Sequence, residues 1–164
     1  MADKHSTFEK VNQMLQQLGF KVINKDDARP WGGFYVIDED DASQFGQQYF
    51  PGESADKLRI TQKISPKILI VAPNTRLSWQ YHHRRAEIWR CVDGPVAVAT
   101  SDTDEEAEKH VLQNGDIMRL KQGERHRLIG LDTWGIVAEI WQHTDANNPS
   151  DEDDIVRVQD DFGR

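Results

Sequence analysis

Cysteine is nearly absent from this 164-residue chain, Cys91 being the only one. No disulfide can form within it, so stability must come from a packed core. A reducing compartment suits that usage, and Cys91, inside the run Ile88-Trp89-Arg90-Cys91-Val92, reads as a small buried strand residue. Long apolar runs are also missing. None approaches the roughly 20 residues of a membrane span, and Met1-Ala2-Asp3-Lys4-His5 lacks the basic-then-apolar pattern of a signal peptide. The expectation is a cytoplasmic protein with no membrane partner. Positive charge is scarce: 20 Lys and Arg against 28 Asp and Glu leave a net charge of −8. General nucleic-acid binding needs a basic field, so no nucleic-acid partner is expected. The acidic runs at 38–41, 102–108 and 151–154 lack the glycine-turn spacing of a calcium loop.

The length fits one domain. Ser6-Thr7-Phe8-Glu9 reads as a capping box, and Val11, Met14, Leu15 and Leu18 follow at helical spacing before Gly19. This predicts a helix over 7–18, packed on the domain or on a second subunit. Phe20 to Val22 alternates like a short strand, Arg29-Pro30-Trp31-Gly32-Gly33 is a break, and Phe34 to Ile37 is strand-like. Residues 41–50 suit a short helix and 51–57 a loop. From Ile64 onward, eight short apolar runs alternate with turn residues: 67–71, 76–81, 87–92, 96–100, 110–112, 117–120, 126–129 and 134–141. That texture predicts an all-β sandwich or barrel. Gly94 and Asn114-Gly115 read as hairpin turns. The resulting divisions are an N-terminal extension over 1–63, a barrel over 64–143 and a tail over 144–164 that folds back through Ile155 to Val158. The helix face and the barrel edges both need cover, which predicts a homodimer.

Chemistry gathers in Gln80-Tyr81-His82-His83-Arg84-Arg85-Ala86-Glu87. Gln80 and His82 are two apart and share one face of a strand, whereas His83 points away. Glu87 opens the next strand, and His126 arrives in Gly123-Glu124-Arg125-His126. Gln80, His82, Glu87 and His126 together offer an amide oxygen, two imidazoles and a carboxylate, a set that a divalent metal accepts with positions left open. His110 and His143 have no partner spacing and are expected at the surface. Arg76, Arg84, Arg85, Arg125 and Arg127 lie beside these motifs, which suggests a small anionic substrate in an otherwise acidic protein.

The two segments resemble the paired cupin motifs. Asn74 stands where the first motif has glycine, Gln80 where it has its first histidine, and His82, Glu87 and Gly94 fall in register. Asparagine suits the glycine position because it also tolerates left-handed backbone angles. Gly115, Gly123 and His126 match the second motif, with Lys121 and Gly130 in place of its proline and asparagine. Within cupins, the Gln80-Tyr81-His82 start and the Arg85-Ala86-Glu87 continuation resemble the type II mannose-6-phosphate isomerases. Arg29-Pro30-Trp31-Gly32-Gly33, Gly123 to Leu128, and Glu152 to Arg157 with Asp160 to Arg164 support that likeness. Arg84 stands where that family often carries a third histidine. The large nucleotidyltransferase domain often fused to such enzymes is not within these residues, so the likeness is to a stand-alone cupin serving mannose 6-phosphate or another hexose or heptose phosphate.

The resemblance implies a cupin-type jelly-roll barrel holding one divalent metal ion, with zinc first and manganese, iron or nickel compatible. It implies an aldose–ketose isomerase acting on a sugar phosphate through an enediolate. Glu139, an acid embedded in Ile136-Val137-Ala138-Glu139-Ile140-Trp141, is the candidate base. Arg85 is the candidate cation beside the reacting oxygens, and Arg85 and Arg157 lead the phosphate ligands, followed by Arg84, Arg76 and Arg127. Two other readings stay open: an iron-dependent oxygenase using the same His and carboxylate ligands, and a non-catalytic sugar-binding module.

Overall fold

The computed structural model describes residues 2–53, 58 and 63–164. In chain order its elements are α1 (Lys4–Gln17), β1 (Val22–Arg29), β2 (Gly32–Ile37), a 3-10 turn (Glu39–Asp41), α2 (Ala42–Tyr49), β3 (Lys67–Val71), β4 (Trp79–Tyr81), β5 (Arg85–Asp93), β6 (Val96–Ser101), β7 (Glu108–Leu112), β8 (Ile117–Leu120), β9 (Arg125–Gly130), β10 (Gly135–His143) and β11 (Val156–Gln159). Two antiparallel sheets result, ordered β1-β2-β3-β10-β5-β8 and β11-β4-β9-β6-β7. The chain crosses between them at almost every connection from β3 to β10, and β6–β7 is the hairpin in that run. This is a jelly-roll barrel of the cupin kind, all-β apart from its N-terminal helical part.

That topology corrects the two hairpin readings. Gly94 follows β5 in the larger sheet and precedes β6 in the smaller one; Asn114-Gly115 likewise leads from β7 to β8 across sheets. Both turns are corners between layers. Turn residues mark where a chain reverses, but not which strands then pair.

Strand alternation explains the two cores. Ile68 and Ile70 of β3, Ile88 of β5 and Ile136, Ala138 and Ile140 of β10 face outward, under Phe8, Val11 and Leu15 of α1 and Phe45 of α2. Leu69, Val71, Trp89, Cys91 and Val137 face inward, against Leu77, Val98 and Leu128. The larger sheet is therefore buried on both faces, and its central strands read as continuous apolar runs. Val11 and Leu15 of the α1 stripe are covered by their own sheet and Met14 partly so, which leaves only Leu18 exposed on that face for a second subunit. Helix α1 starts earlier than the sequence suggests. Asp3 is its cap, accepting from the Ser6 backbone N–H at 2.7 Å, so Ser6 lies in the first turn and the expected capping box does not form.

Strand β1 is longer than the short strand expected from Phe20 to Val22. Its Asn24-Lys25-Asp26-Asp27 stretch carries no apolar alternation, yet it pairs with β2 as the outermost strand. Charged residues on such an edge discourage further strand addition. The break at Pro30-Trp31 is the turn joining β1 to β2. Gly32, at φ +138°, sits so close to Ile70 that a Cβ would overlap its carbonyl oxygen. Most of the loop expected over 51–57 lies outside the described residues. After β10 the chain returns, and β11 pairs with β4 at the edge of the smaller sheet. No helix among the described residues is long and apolar enough to cross a membrane.

Candidate metal centre and cavity

Inside the barrel the two sheets enclose a cavity of about 380 Å³. β5 alternates so that Arg85, Glu87 and Trp89 are buried. β4 and the turn after it supply Gln80 and His82, and β9 supplies His126, whose Cα pairs with that of Gln80. His82, Glu87 and His126 bring one potential ligand atom each to within 4.8 Å of one another. All three are essentially fully buried.

Both imidazoles are oriented for ligation. His82 Nδ1 lies 2.7 Å from the Asp154 carbonyl oxygen, and His126 Nδ1 lies 3.0 Å from that of Glu124. A carbonyl only accepts, so each Nδ1 carries the proton and each Nε2 presents a lone pair inward. His82 Nε2 then faces Glu87 Oε1 at 2.9 Å, and His126 Nε2 faces Glu87 Oε2 at 3.8 Å. The Arg85 guanidinium bridges the first pair, donating to Glu87 Oε1 at 2.9 Å and lying 3.2 Å from His82 Nε2, and no described residue bridges the second. Glu87 Oε2 and His126 Nε2 are, moreover, buried without any hydrogen-bond partner among the described residues. Orphaned buried ligand atoms call for an explanation, and a metal ion supplies one.

The electrostatics agree. Burial alone would raise the pKa of Glu87, but its close contacts with His82 and the Arg85 guanidinium outweigh it and hold the carboxyl well below its usual range. Burial pushes His126 down to about 4, so it is neutral at physiological pH, as ligation requires. Gln80 lies beside the cluster, but its Oε1 accepts from Ser78 Oγ at 2.5 Å and its Nε2 faces His82 at 3.5 Å. A half-turn of the amide is needed before its oxygen can join the other three.

Glu139 faces the same cavity from β10. Its Oε2 accepts from Trp89 Nε1 at 2.7 Å and its Oε1 from Trp141 Nε1 at 2.8 Å. Burial, reinforced by the neighbouring charge of Glu87, raises its pKa to about 8. Lys67, which sequence reasoning passed over, lines the cavity from β3. Its Nζ lies 4.2 Å from the centre of the Trp141 ring and is ion-paired with Glu152. It heads an apolar run whose alternate residues Leu69 and Val71 face inward, and that alternation was the available signal.

The arginines divide sharply. Arg85 lines the cavity but is already committed. It donates to Glu87 Oε1 at 2.9 Å, Ser150 Oγ at 2.8 Å and the Asp151 carbonyl at 2.9 Å, and it stacks on Trp141. Arg157 also lines the cavity and makes no ion pair among the described residues. Arg29 and Arg164, unassigned from sequence, line it as well. The other three expected anion ligands are placed elsewhere. Arg76 forms two hydrogen bonds to Asp161, at 2.6 and 2.9 Å. Arg84 points to the tail, near Asn148, Asp151 and Asp154. Arg127 is buried against Leu77, Glu106 and Gln159. Its neighbour His126 faces inward, so β alternation turns Arg127 away from the cavity. His143, expected at the surface, is fully buried and accepts from the Ser150 backbone N–H at 3.0 Å.

Comparison with known proteins adds three findings. A family model described as Mannose-6-phosphate isomerase C-terminal matches residues 38–160. The xanthan biosynthesis protein XanB of Xanthomonas campestris is 31% identical over 116 residues, 71% of this chain and 23% of that protein. The alginate biosynthesis protein AlgA of Pseudomonas aeruginosa is also 31% identical over 116 residues, 71% of this chain and 22% of its own. The chain thus spans under a quarter of the length of these curated relatives. Among solved structures, the capsular polysaccharide assembling protein CapF of Staphylococcus aureus superposes with a TM-score of 0.57 at 13% identity, covering 83% of this chain and 34% of that one. A recombinant oxalate oxidase superposes at 0.54 and 17% identity, covering 81% and 58%. At such identities these structures speak for the fold alone.

Proposed function

The chain belongs to the mannose-6-phosphate isomerase C-terminal family of cupins, and from that premise we propose that it is a metal-dependent aldose–ketose isomerase of a small sugar phosphate. The observation that supports this most is the pair of orphaned buried atoms, Glu87 Oε2 and His126 Nε2, beside His82, where Glu87 also lines the cavity that Glu139, Lys67 and Arg157 share.

His82, Glu87 and His126 would hold the ion, with Gln80 as a fourth ligand after its amide turns. Zinc is the first choice for this donor set, and manganese, iron and nickel accept it too. Such an ion, when bound, supplies Lewis-acid polarisation of the sugar's carbonyl and hydroxyl oxygens. Glu139 is the proton carrier. A carboxyl whose pKa has risen to about 8 is matched to taking the proton from C2 and returning it to C1. The Trp89 and Trp141 N–H groups hold that carboxyl in place. Lys67, freed from Glu152, puts an ammonium where the enediolate oxygens gather negative charge. Arg85, tied to Glu87 and near His82, positions ligands instead of gripping substrate. The phosphate belongs at the mouth with Arg157. Burial and the like charges of Arg164 and Arg29 lower the pKa of Arg157, and an anion bound there would relieve that repulsion.

The test is elemental analysis of the purified protein, then a sugar-phosphate panel with and without chelator. The expected result is one divalent ion per chain and aldose–ketose interconversion that stops with chelator and returns with metal. Binding without turnover would replace the proposal with a sugar-binding module. Oxygen uptake would replace it with an iron-dependent oxygenase.

A further inference from the structure

The returning tail reaches past the cavity mouth to a metal-ligand candidate. Asp154 is buried, and its backbone carbonyl accepts from His82 Nδ1 at 2.7 Å. Its carboxylate accepts the His83 backbone N–H at 2.9 Å on Oδ1 and, on Oδ2, the Arg84 backbone N–H at 3.0 Å and the Ser150 hydroxyl at 2.6 Å. Ser150 Oγ accepts in turn from Arg85 Nη1 at 2.8 Å, and Arg85 Nε donates to Glu87 Oε1 at 2.9 Å. Hydrogen bonds thus run from the tail to His82, and through Arg85 to Glu87.

We propose that residues 150–154 are a clasp of the metal centre and that Asp154 is its positioning residue, so that metal binding and tail docking reinforce each other. The inference rests on the metal reading given above. One residue does two things. Its carbonyl fixes the proton of His82 on Nδ1 and so frees Nε2 for the ion. Its carboxylate pins the backbone of His83 and Arg84, the only residues between His82 and the start of β5, which carries Glu87. An undocked tail leaves His82 free to rotate or change tautomer. Partners that orient ligands in this way commonly affect metal affinity by about 10–100-fold. Linkage then requires the reverse: an ion that prefers the oriented ligands must stabilise the docked tail by the same factor.

The experiment compares the full wild-type chain with Asp154→Ala, Asp154→Asn and Ser150→Ala. Zinc affinity is measured by competition with a chromophoric chelator. Asp154→Ala should bind zinc about 10–100-fold more weakly, and the two milder variants should fall between it and wild type. Zinc should also slow proteolysis within 144–149 in wild type, and do so far less in Asp154→Ala. Amide exchange at His83 and Arg84, followed without zinc, should accelerate in Asp154→Ala and so report the clasp independently of any ion. Wild-type zinc affinity in a folded Asp154→Ala would overturn the coupling, and unchanged exchange at His83 and Arg84 would overturn the clasp. A wild-type chain that binds no divalent metal would instead overturn the metal reading and this inference together.

Discussion

Replacing Glu139 by glutamine in the metal-free protein tests the buried acid directly. The carboxyl has a pKa of about 8 in the folded chain against 4.5 in its absence. A raised pKa means that the folded state keeps a proton which the unfolded state has released. Stability from this group is therefore full below about pH 4.5 and declines as pH rises toward 8. The slope across that interval is about 1.4 kcal/mol per pH unit for one proton. His126 and His143, both depressed to about 4, act in the opposite sense below their ordinary value of 6.5, so the cleanest window runs from 6.5 to 8. Over that window Glu139 should cost the wild type roughly 2 kcal/mol. Glutamine cannot ionise, so its profile should lack this decline. Its offset at low pH should be roughly 1–3 kcal/mol of destabilisation, because its amide N–H₂ must face the N–H of either Trp89 or Trp141. Urea unfolding of chelator-treated protein at half-unit pH steps, followed by tryptophan fluorescence, gives both curves. Parallel curves between pH 6.5 and 8 would refute the reasoning, because Glu139 would then titrate alike in both states.

Other substitutions separate the remaining roles. His82→Ala and His126→Ala should each abolish stoichiometric metal by elemental analysis while leaving the strand content intact, whereas Gln80→Ala should keep most of it, since an amide oxygen is a weak neutral ligand. Arg157→Ala should weaken phosphorylated sugars by about 1.5–3 kcal/mol in steady-state kinetics and affect free sugars much less; Arg76→Ala, at an arginine held by Asp161 away from the cavity, should leave both unchanged. Gly32→Ala should lower the thermal midpoint through a loss of at least about 1–3 kcal/mol, because a Cβ there meets the Ile70 carbonyl at a positive φ.

Much of the site was written locally. The two-residue spacing of Gln80 and His82 and the strand opening at Glu87 follow from backbone periodicity, whereas the glycine frame around His126 was carried by the resemblance to the second cupin motif. The Asn74 reading was local too: the residue adopts φ +56°, as a glycine substitute there must. Eight apolar runs announced a β barrel because each strand needs an inward face. Tertiary structure alone decided how distant segments met. Gly94 and Gly115 mark turns, but only the sheet order made them corners between layers. Five arginines were anion-ligand candidates in sequence, Arg85 and Arg157 first; strand alternation sent Arg127 outward beneath the tail and local acids claimed Arg76 and Arg84, leaving Arg85 and Arg157 at the cavity. His143 and Lys67 became interior residues because the tail returned to cover them. Asp154 reaches His82 across 72 positions of chain. Periodicity fixes which side of a strand a residue occupies, whereas the burial, charge and partners of that side come from segments that only the folded chain brings together.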